Sequence, residues 1–199
     1  MMPRTTNSPT RERLLDAAQK LVLSKGFTAT SVDDICTRAK LTKGSFFHYF
    51  DSKDALAEAL LERFCARGAA LHEGCCATAQ DPKQRVFQYL DELIQISQQP
   101  EMQQGCLLGM LAQEMGEVHS RIRGVCAKGF AAWQGRFAQD LADAKTQYAA
   151  RAEFDPQSVA EHLIAVVEGS LILAKVKRSA DPLTSNLKHF RRYVESLLS

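Results

Sequence analysis

Four prolines in this chain each stand directly behind a residue suited to capping a helix: Ser8-Pro9, Asp81-Pro82, Asp155-Pro156 and Asp181-Pro182. Proline lacks an amide hydrogen and holds φ near −65°, so it fits the first turn, where that hydrogen would go unpaired. The oxygen of the residue before it accepts from amides the first turn leaves free. Each pair therefore predicts a helix start. Apolar residues follow at three- and four-residue intervals: Leu14, Leu15, Ala18, Leu21 and Val22 behind the first; Val86, Phe87, Leu90, Leu93 and Ile94 behind the second. The third is followed by Val159, Leu163, Val166, Val167 and Leu171, and the fourth by Leu183, Leu187, Phe190, Val194 and Leu197. Gly26 is positioned to stop the first helix. The same period predicts helices over about 52–70, 102–115 and 121–145. No period-two alternation, internal repeat or low-complexity tract breaks the pattern. The expected class is all-α, with about nine helices.

A chain of 199 residues, 45% of them hydrophobic, can bury a sizeable core. No apolar run is long enough for a membrane span, and the leading MMPRTTNSPTRER has no apolar segment of the secretory kind. The expectation is a cytoplasmic protein with no membrane partner and with reduced thiols. The net charge is only +2, which excludes a polybasic binder, but the charge is uneven. Residues 1–54 hold nine Lys and Arg against six Asp and Glu; the rest holds sixteen against seventeen. The small N-terminal surplus suits a phosphate-facing surface.

Thr30-Ser-Val-Asp33 reads as a capping box opening a short helix that buries Val32, Ile35, Cys36 and Ala39. Leu41 ends it, and Thr42 caps a second short helix, KGSFFHYF over 43–50. Two short helices joined by a tight turn predict a helix-turn-helix. On the second, Phe46, Phe47 and Phe50 are expected to face the core, with Gly44, Ser45, His48 and Tyr49 opposite. A flank that is small at its start, with hydrogen-bonding groups beyond it, suits a major groove. It equally suits the solvated side of a core helix, and spacing leaves both open.

Residues 10–56 resemble the DNA-binding domain of the TetR family of bacterial repressors. The resemblance is carried by Gly26-Phe27, Thr30-Ser-Val-Asp-Asp-Ile35, Ala39, Thr42-Lys-Gly-Ser45, His48-Tyr-Phe50 and Ser52-Lys53. It implies a helix-turn-helix domain over 1–52, with the motif at about 31–50, and a helical effector-binding and dimerisation domain over 53–199. It implies a transcriptional repressor, a homodimer through its last two helices, on a palindromic double-stranded DNA operator and released by a small-molecule effector. Carried over by position, Ser31 and Thr42 would contact phosphates. Lys43, Gly44 and Ser45 would face bases or phosphates, as would His48 and Tyr49, and Lys53 would hold a further phosphate. Phe47 stands where the family usually has tyrosine, which removes one possible hydroxyl contact.

In the body, Leu163–Val176 carries only two charges, Glu168 and Lys175. Lys175 is either partly desolvated there or extends to the surface near the helix end. Cys106, in QGCLL, is expected near a helix N-terminus, where exposed amides favour a thiolate; a buried inert thiol is the other reading. Gly105-Cys106-Leu107 together with Ala174-Lys175, Arg178-Ser179 and Pro182-Leu183 is similar to the NemR-type branch of the family. That similarity implies sensing of reactive electrophiles or oxidants, with Cys106 and Lys175 interacting directly. Reversible binding of an apolar ligand is the alternative effector mode. In another class stands an enzyme using Cys106 as nucleophile, for which the sequence offers no partner base.

No CxxC pair occurs among the six cysteines, and His72, His119, His162 and His189 show no metal-ligand spacing, so no metal site is expected. No motif calls for a cofactor. Cys75-Cys76 reads as a solvated helix end or as a pair of reactive thiols, Cys36 as an apolar filler or a sensing thiol, and Trp133, Phe130 and Phe137 as core or, in part, the lining of an effector pocket.

Overall fold

The structure is a computed structural model that describes residues 8–77, 79–99, 102 and 104–199. Among the described residues nine α-helices follow one another, with no strand. They are α1 (Pro9–Lys25), α2 (Val32–Ala39), α3 (Lys43–Tyr49), α4 (Lys53–Cys76), α5 (Pro82–Ser97), α6 (Leu107–Met115), α7 (Ser120–Tyr148), α8 (Pro156–Lys177) and α9 (Asp181–Leu197). Among the described residues no helix is long and apolar enough to cross a membrane.

Three of the four expected caps form as read. Ser8 Oγ accepts from the Thr10 amide at 3.3 Å, Asp81 Oδ1 from that of Gln84 at 2.8 Å, and the Asp155 carboxylate from those of Gln157 and Ser158 at 3.2 and 3.1 Å. The fourth differs. Asp181 is itself the first residue of α9, and its own amide donates to Ser179 Oγ at 3.1 Å. The reason lies upstream: Arg178 ends α8 in the left-handed region (φ 51), leaving only Ser179 and Ala180 between the helices. The start expected at about 102 also moves, to Leu107. Gly105 adopts φ +113, which no helix contains, so the helix cannot begin before it. Gln103, inside the expected helix, lies outside the described residues, as do residues 1–7 and the leader reading that rests on them. Helix α4 continues past the expected end at 70 to Cys76.

The chain divides into two compact units, one of residues up to 64 with 107–129, the other of 65–106 with 130–199. Residues 53–64 of α4 and all of α6 belong with the N-terminal helices.

In the first unit, Leu14, Leu15 and Ala18 of α1 are buried together with Ile35 of α2, Phe46 of α3 and Leu56 and Leu60 of α4. Each large side chain contributes about 1.5–3 kcal/mol by leaving water. In the second, α9 packs on both α5 and α8. Its buried Leu187, Phe190 and Val194 recur at the helical period, and Phe137 of α7 meets Phe190 at 6.4 Å between ring centres.

Candidate functional site

The first unit builds its short helices from local hydrogen bonds. The capping box of α2 forms one residue later than expected. Ser31 Oγ accepts from the Asp34 amide at 3.0 Å, and the Asp34 carboxylate accepts from the Ser31 amide at 2.9 Å. Thr30 is displaced from that role because its hydroxyl, fully buried, donates to the Gly26 carbonyl at 2.7 Å. Lys25 pairs with Asp34 at 2.8 Å, and the bonds from Lys25 and Ser31 hold the Asp34 carboxyl well below the usual range. The turn between α2 and α3 is made by Lys40 at φ 54, with the Leu41 amide bonded to the Cys36 carbonyl at 2.9 Å. Thr42 Oγ1 then accepts from the Ser45 amide at 3.1 Å and caps α3. Cys36 is buried, as an apolar filler should be.

On α3 the buried pair is Phe46 and Phe50, 40° apart around the axis, with ring centres 5.7 Å apart. Phe47 does not join them. It sits 100° further round, is 51% exposed, and only its edge approaches Phe46, at 5.2 Å. The exposed flank therefore carries Thr42, Lys43, Gly44, Phe47 and His48, with Ser45 and Tyr49 half-exposed at its borders. A Cβ placed on Gly44 would meet only Thr42 Oγ1, at 3.6 Å, so the space above the start of the helix is open. Lys43 pairs with Asp33 at 2.9 Å, both ends largely in water. Such a pair is worth about 0–1 kcal/mol and exchanges readily for another anion.

Two expected phosphate ligands are engaged within the protein. Lys53 Nζ donates to the carbonyls of Phe27 and Thr30, both at 3.0 Å, and lies over the Phe27 ring. One N–H of its three remains for an outside acceptor. The Tyr49 hydroxyl shares a 2.8 Å hydrogen bond with Ser8 Oγ at the start of α1. Glu114 of α6 was not read from the sequence at all. Its carboxylate accepts from the amides of Phe27 at 2.7 Å and Thr28 at 2.6 Å, behind Gly26 at φ +88. Burial pushes this carboxyl up, but the bonds from Thr28 and Phe27 and the charge of Lys53 outweigh it and hold it below the usual value. No spacing rule links residues 27 and 114; only the fold does.

In the second unit, Cys106 is buried, 7% exposed, directly before the first residue of α6. Its thiol donates to the Glu168 carboxyl of α8, and burial keeps that carboxyl above its ordinary value despite the bond. Glu168 Oε1 is buried without a hydrogen-bond partner. Lys175, two turns along α8, is exposed, so the surface reading of that lysine holds in this chain. The partner brought to Cys106 is a carboxyl, a residue the sequence marked only as a charge in an apolar run. Ile172, Leu173 and Val176 of α8 and Tyr193 of α9 are exposed apolar side chains, Val176 at 78%.

Known proteins agree with this arrangement. The signature described as bacterial regulatory proteins, tetR family, matches residues 14–60, and that of the tetracyclin repressor-like C-terminal domain matches residues 82–190. The HTH-type transcriptional repressor NemR of Escherichia coli is 29% identical over 97% of this chain and 98% of its own length. The transcriptional regulator AcuR of Cereibacter sphaeroides is 30% identical over 92% of this chain and 84% of its own. Among solved structures, a TetR regulatory protein from Rhodobacter sphaeroides superposes with a TM-score of 0.82 at 29% identity, covering 94% of this chain and 99% of that one. The reduced form of E. coli NemR superposes at 0.77 with 28% identity, covering 96% and 97%. The chain belongs to the TetR family of bacterial regulatory proteins.

Proposed function

We propose that this protein is a homodimeric transcriptional repressor that sets α3 into the major groove of a palindromic operator. The observation that carries the reading is the exposed α3 flank: an open Gly44, a capping Thr42, a loosely paired Lys43 and His48, backed by buried Phe46 and Phe50. Ser31, Thr42 and Ser45 offer hydroxyls near helix starts to phosphates, Lys43 and His48 reach bases or phosphates, and Tyr49 and Lys53 hold neighbouring segments in place while presenting their remaining capacity outward. The exposed Ile172, Leu173 and Val176, with Tyr193, form the apolar surface for a second copy. Two α3 helices in such a dimer would meet successive major grooves, about 34–36 Å apart.

The proposed sensor is Cys106. It stands one residue before α6, and Glu114 near the other end of that helix holds the amides of Phe27 and Thr28. Alkylation or oxidation of the sulfur adds volume and removes the thiol proton shared with Glu168, displacing the start of α6. Lys175 enters only if the modified or ionised sulfur recruits its ammonium. A second reading rests on Glu168: a half-buried side chain whose Oε1 is buried and unpartnered would accept a hydrogen bond from a reversibly bound ligand. Mobility shift of an operator fragment separates the two. Covalent sensing predicts that an electrophile releases wild type, that Cys106→Ser stays bound, and that release persists after dilution. Release of Cys106→Ser as readily as wild type excludes it.

A further inference from the structure

The C-terminal turns of α4 carry side chains that neither DNA binding nor Cys106 uses. His72 and Cys76 are four residues apart on α4, hence on one face, and Asp140 of α7 lies opposite them. One ligand atom of each, an imidazole nitrogen, Sγ and a carboxylate oxygen, all lie within 4.8 Å of one another. His72 Nε2 and Asp140 Oδ2 are 2.8 Å apart. Around a tetrahedral zinc ion, with bonds of about 2.0–2.3 Å, donor atoms stand roughly 3.3–3.8 Å apart. Small side-chain adjustments bring the trio to that spacing.

The surroundings are those of a held ligand set. His72 and Asp140 are buried and Cys76 half-buried. The second oxygen of Asp140 is fixed by Arg85 Nε at 3.0 Å, and Arg85 Nη2 also binds Asp143 at 2.7 Å. A ligating carboxylate is commonly oriented through its other oxygen in this way. The His72 ring meets Tyr89 edge-on at 4.7 Å between centres. Asp140 faces both Arg85 and His72, and Asp143 shares the same guanidinium.

We propose that His72, Cys76 and Asp140 bind a divalent transition-metal ion of intermediate softness, best matched by Zn²⁺, with the fourth position left to solvent. Nitrogen, sulfur and oxygen donors together suit zinc rather than the hard cations, which take oxygen alone. On binding, the Cys76 S–H bond breaks and its proton goes to solvent, while the imidazole presents Nε2 as the Nδ1–H tautomer. The ion replaces the hydrogen bond between Nε2 and Oδ2 and the one from Cys76 Sγ to the Arg85 carbonyl, 3.7 Å long; no electrons move. Cys75 Sγ, 3.8 Å from Cys76 Sγ, donates to the His72 carbonyl at 3.3 Å and stays outside this set. No spacing rule singles out this trio: the cysteines form no CxxC pair, and residue 140 lies far along the chain.

Cobalt titration of the untagged, reduced, full-length protein tests it. The expected result is one equivalent of Co²⁺ per chain, with a thiolate-to-cobalt charge-transfer band, the intense visible bands of a four-coordinate ion, and loss of both on adding Zn²⁺. Cys76→Ser, a near-isosteric change at a half-buried site, should abolish the charge-transfer band while retaining the helical circular dichroism. His72→Gln should weaken binding by more than the roughly 10- to 100-fold that loss of an outer partner costs. Cys106→Ser should bind as wild type does, which keeps the result separate from the sensor reading. Absence of the charge-transfer band in wild type, or its persistence in folded Cys76→Ser, overturns the proposal.

Discussion

The placement of Phe47 turns on a single step of 100° around a helix axis. Three phenylalanines in KGSFFHYF suggest one apolar stripe, yet only residues four apart share the buried side of so short a helix, and Phe47 is left at its border. The consequence is chemical: the exposed flank of α3 carries an aromatic ring among its polar groups. Glu168 gives a sharper residue-scale test. Burial holds its carboxyl above the ordinary value of 4.5, with the Cys106 thiol pulling the other way. A group whose pKa is raised by folding stabilises most below its unfolded pKa, and that contribution is lost as pH rises through the folded value. Glu168→Gln cannot ionise. Urea melts between about pH 4 and pH 8 should therefore show the variant gaining on wild type as pH increases and the carboxylate forms. A gap that does not change with pH would mean that Glu168 is not desolvated. The charge was visible in the sequence, but its partner was not. Contact between residues 106 and 168 is a product of the fold.

At the scale of helices, the local signals were mostly legible. Three Ser- or Asp-proline pairs start α1, α5 and α8 because cap and ring act within one turn. The fourth failed where a left-handed Arg178 shortened the connection, and the capping box slipped by one because Thr30 was bonded elsewhere. Long-range supports were illegible. Glu114 reaches the α1–α2 loop from α6, and no local spacing joins the two. Replacing it leaves two amides behind α1 without their charged acceptor. Glu114→Ala should lower stability by about 2 kcal/mol and weaken operator binding, read by thermal melts and fluorescence anisotropy. Because folding lowers the Glu114 pKa, its contribution is present above the unfolded pKa and is lost as pH falls through the folded value. The stability difference from wild type should accordingly shrink in acid.

For the whole molecule, the all-α class followed from periodicity alone, while the grouping of helices did not, since α4 and α7 are each divided between the two units by contacts that composition does not record. The apolar surface of α8 and α9 should be covered by a second copy. Val176→Glu would place a charge there without touching the core and should give monomers in analytical ultracentrifugation, with operator affinity lost at concentrations where wild type binds. Dimers of unchanged affinity would assign that surface another role. If the outer flank of α3 lies against a duplex, a side chain added at Gly44 must collide with it. A side chain there meets open space in the free protein, and replacing a helical glycine adds up to about 1 kcal/mol of stability. Duplexes selected by the wild-type protein should be titrated with Gly44→Leu by fluorescence anisotropy, alongside thermal melts. The expected result is a melting temperature equal to or above wild type and operator affinity reduced by at least about 100-fold, roughly 2.7 kcal/mol. A folded Gly44→Leu protein that binds the same duplex as tightly as wild type would contradict it.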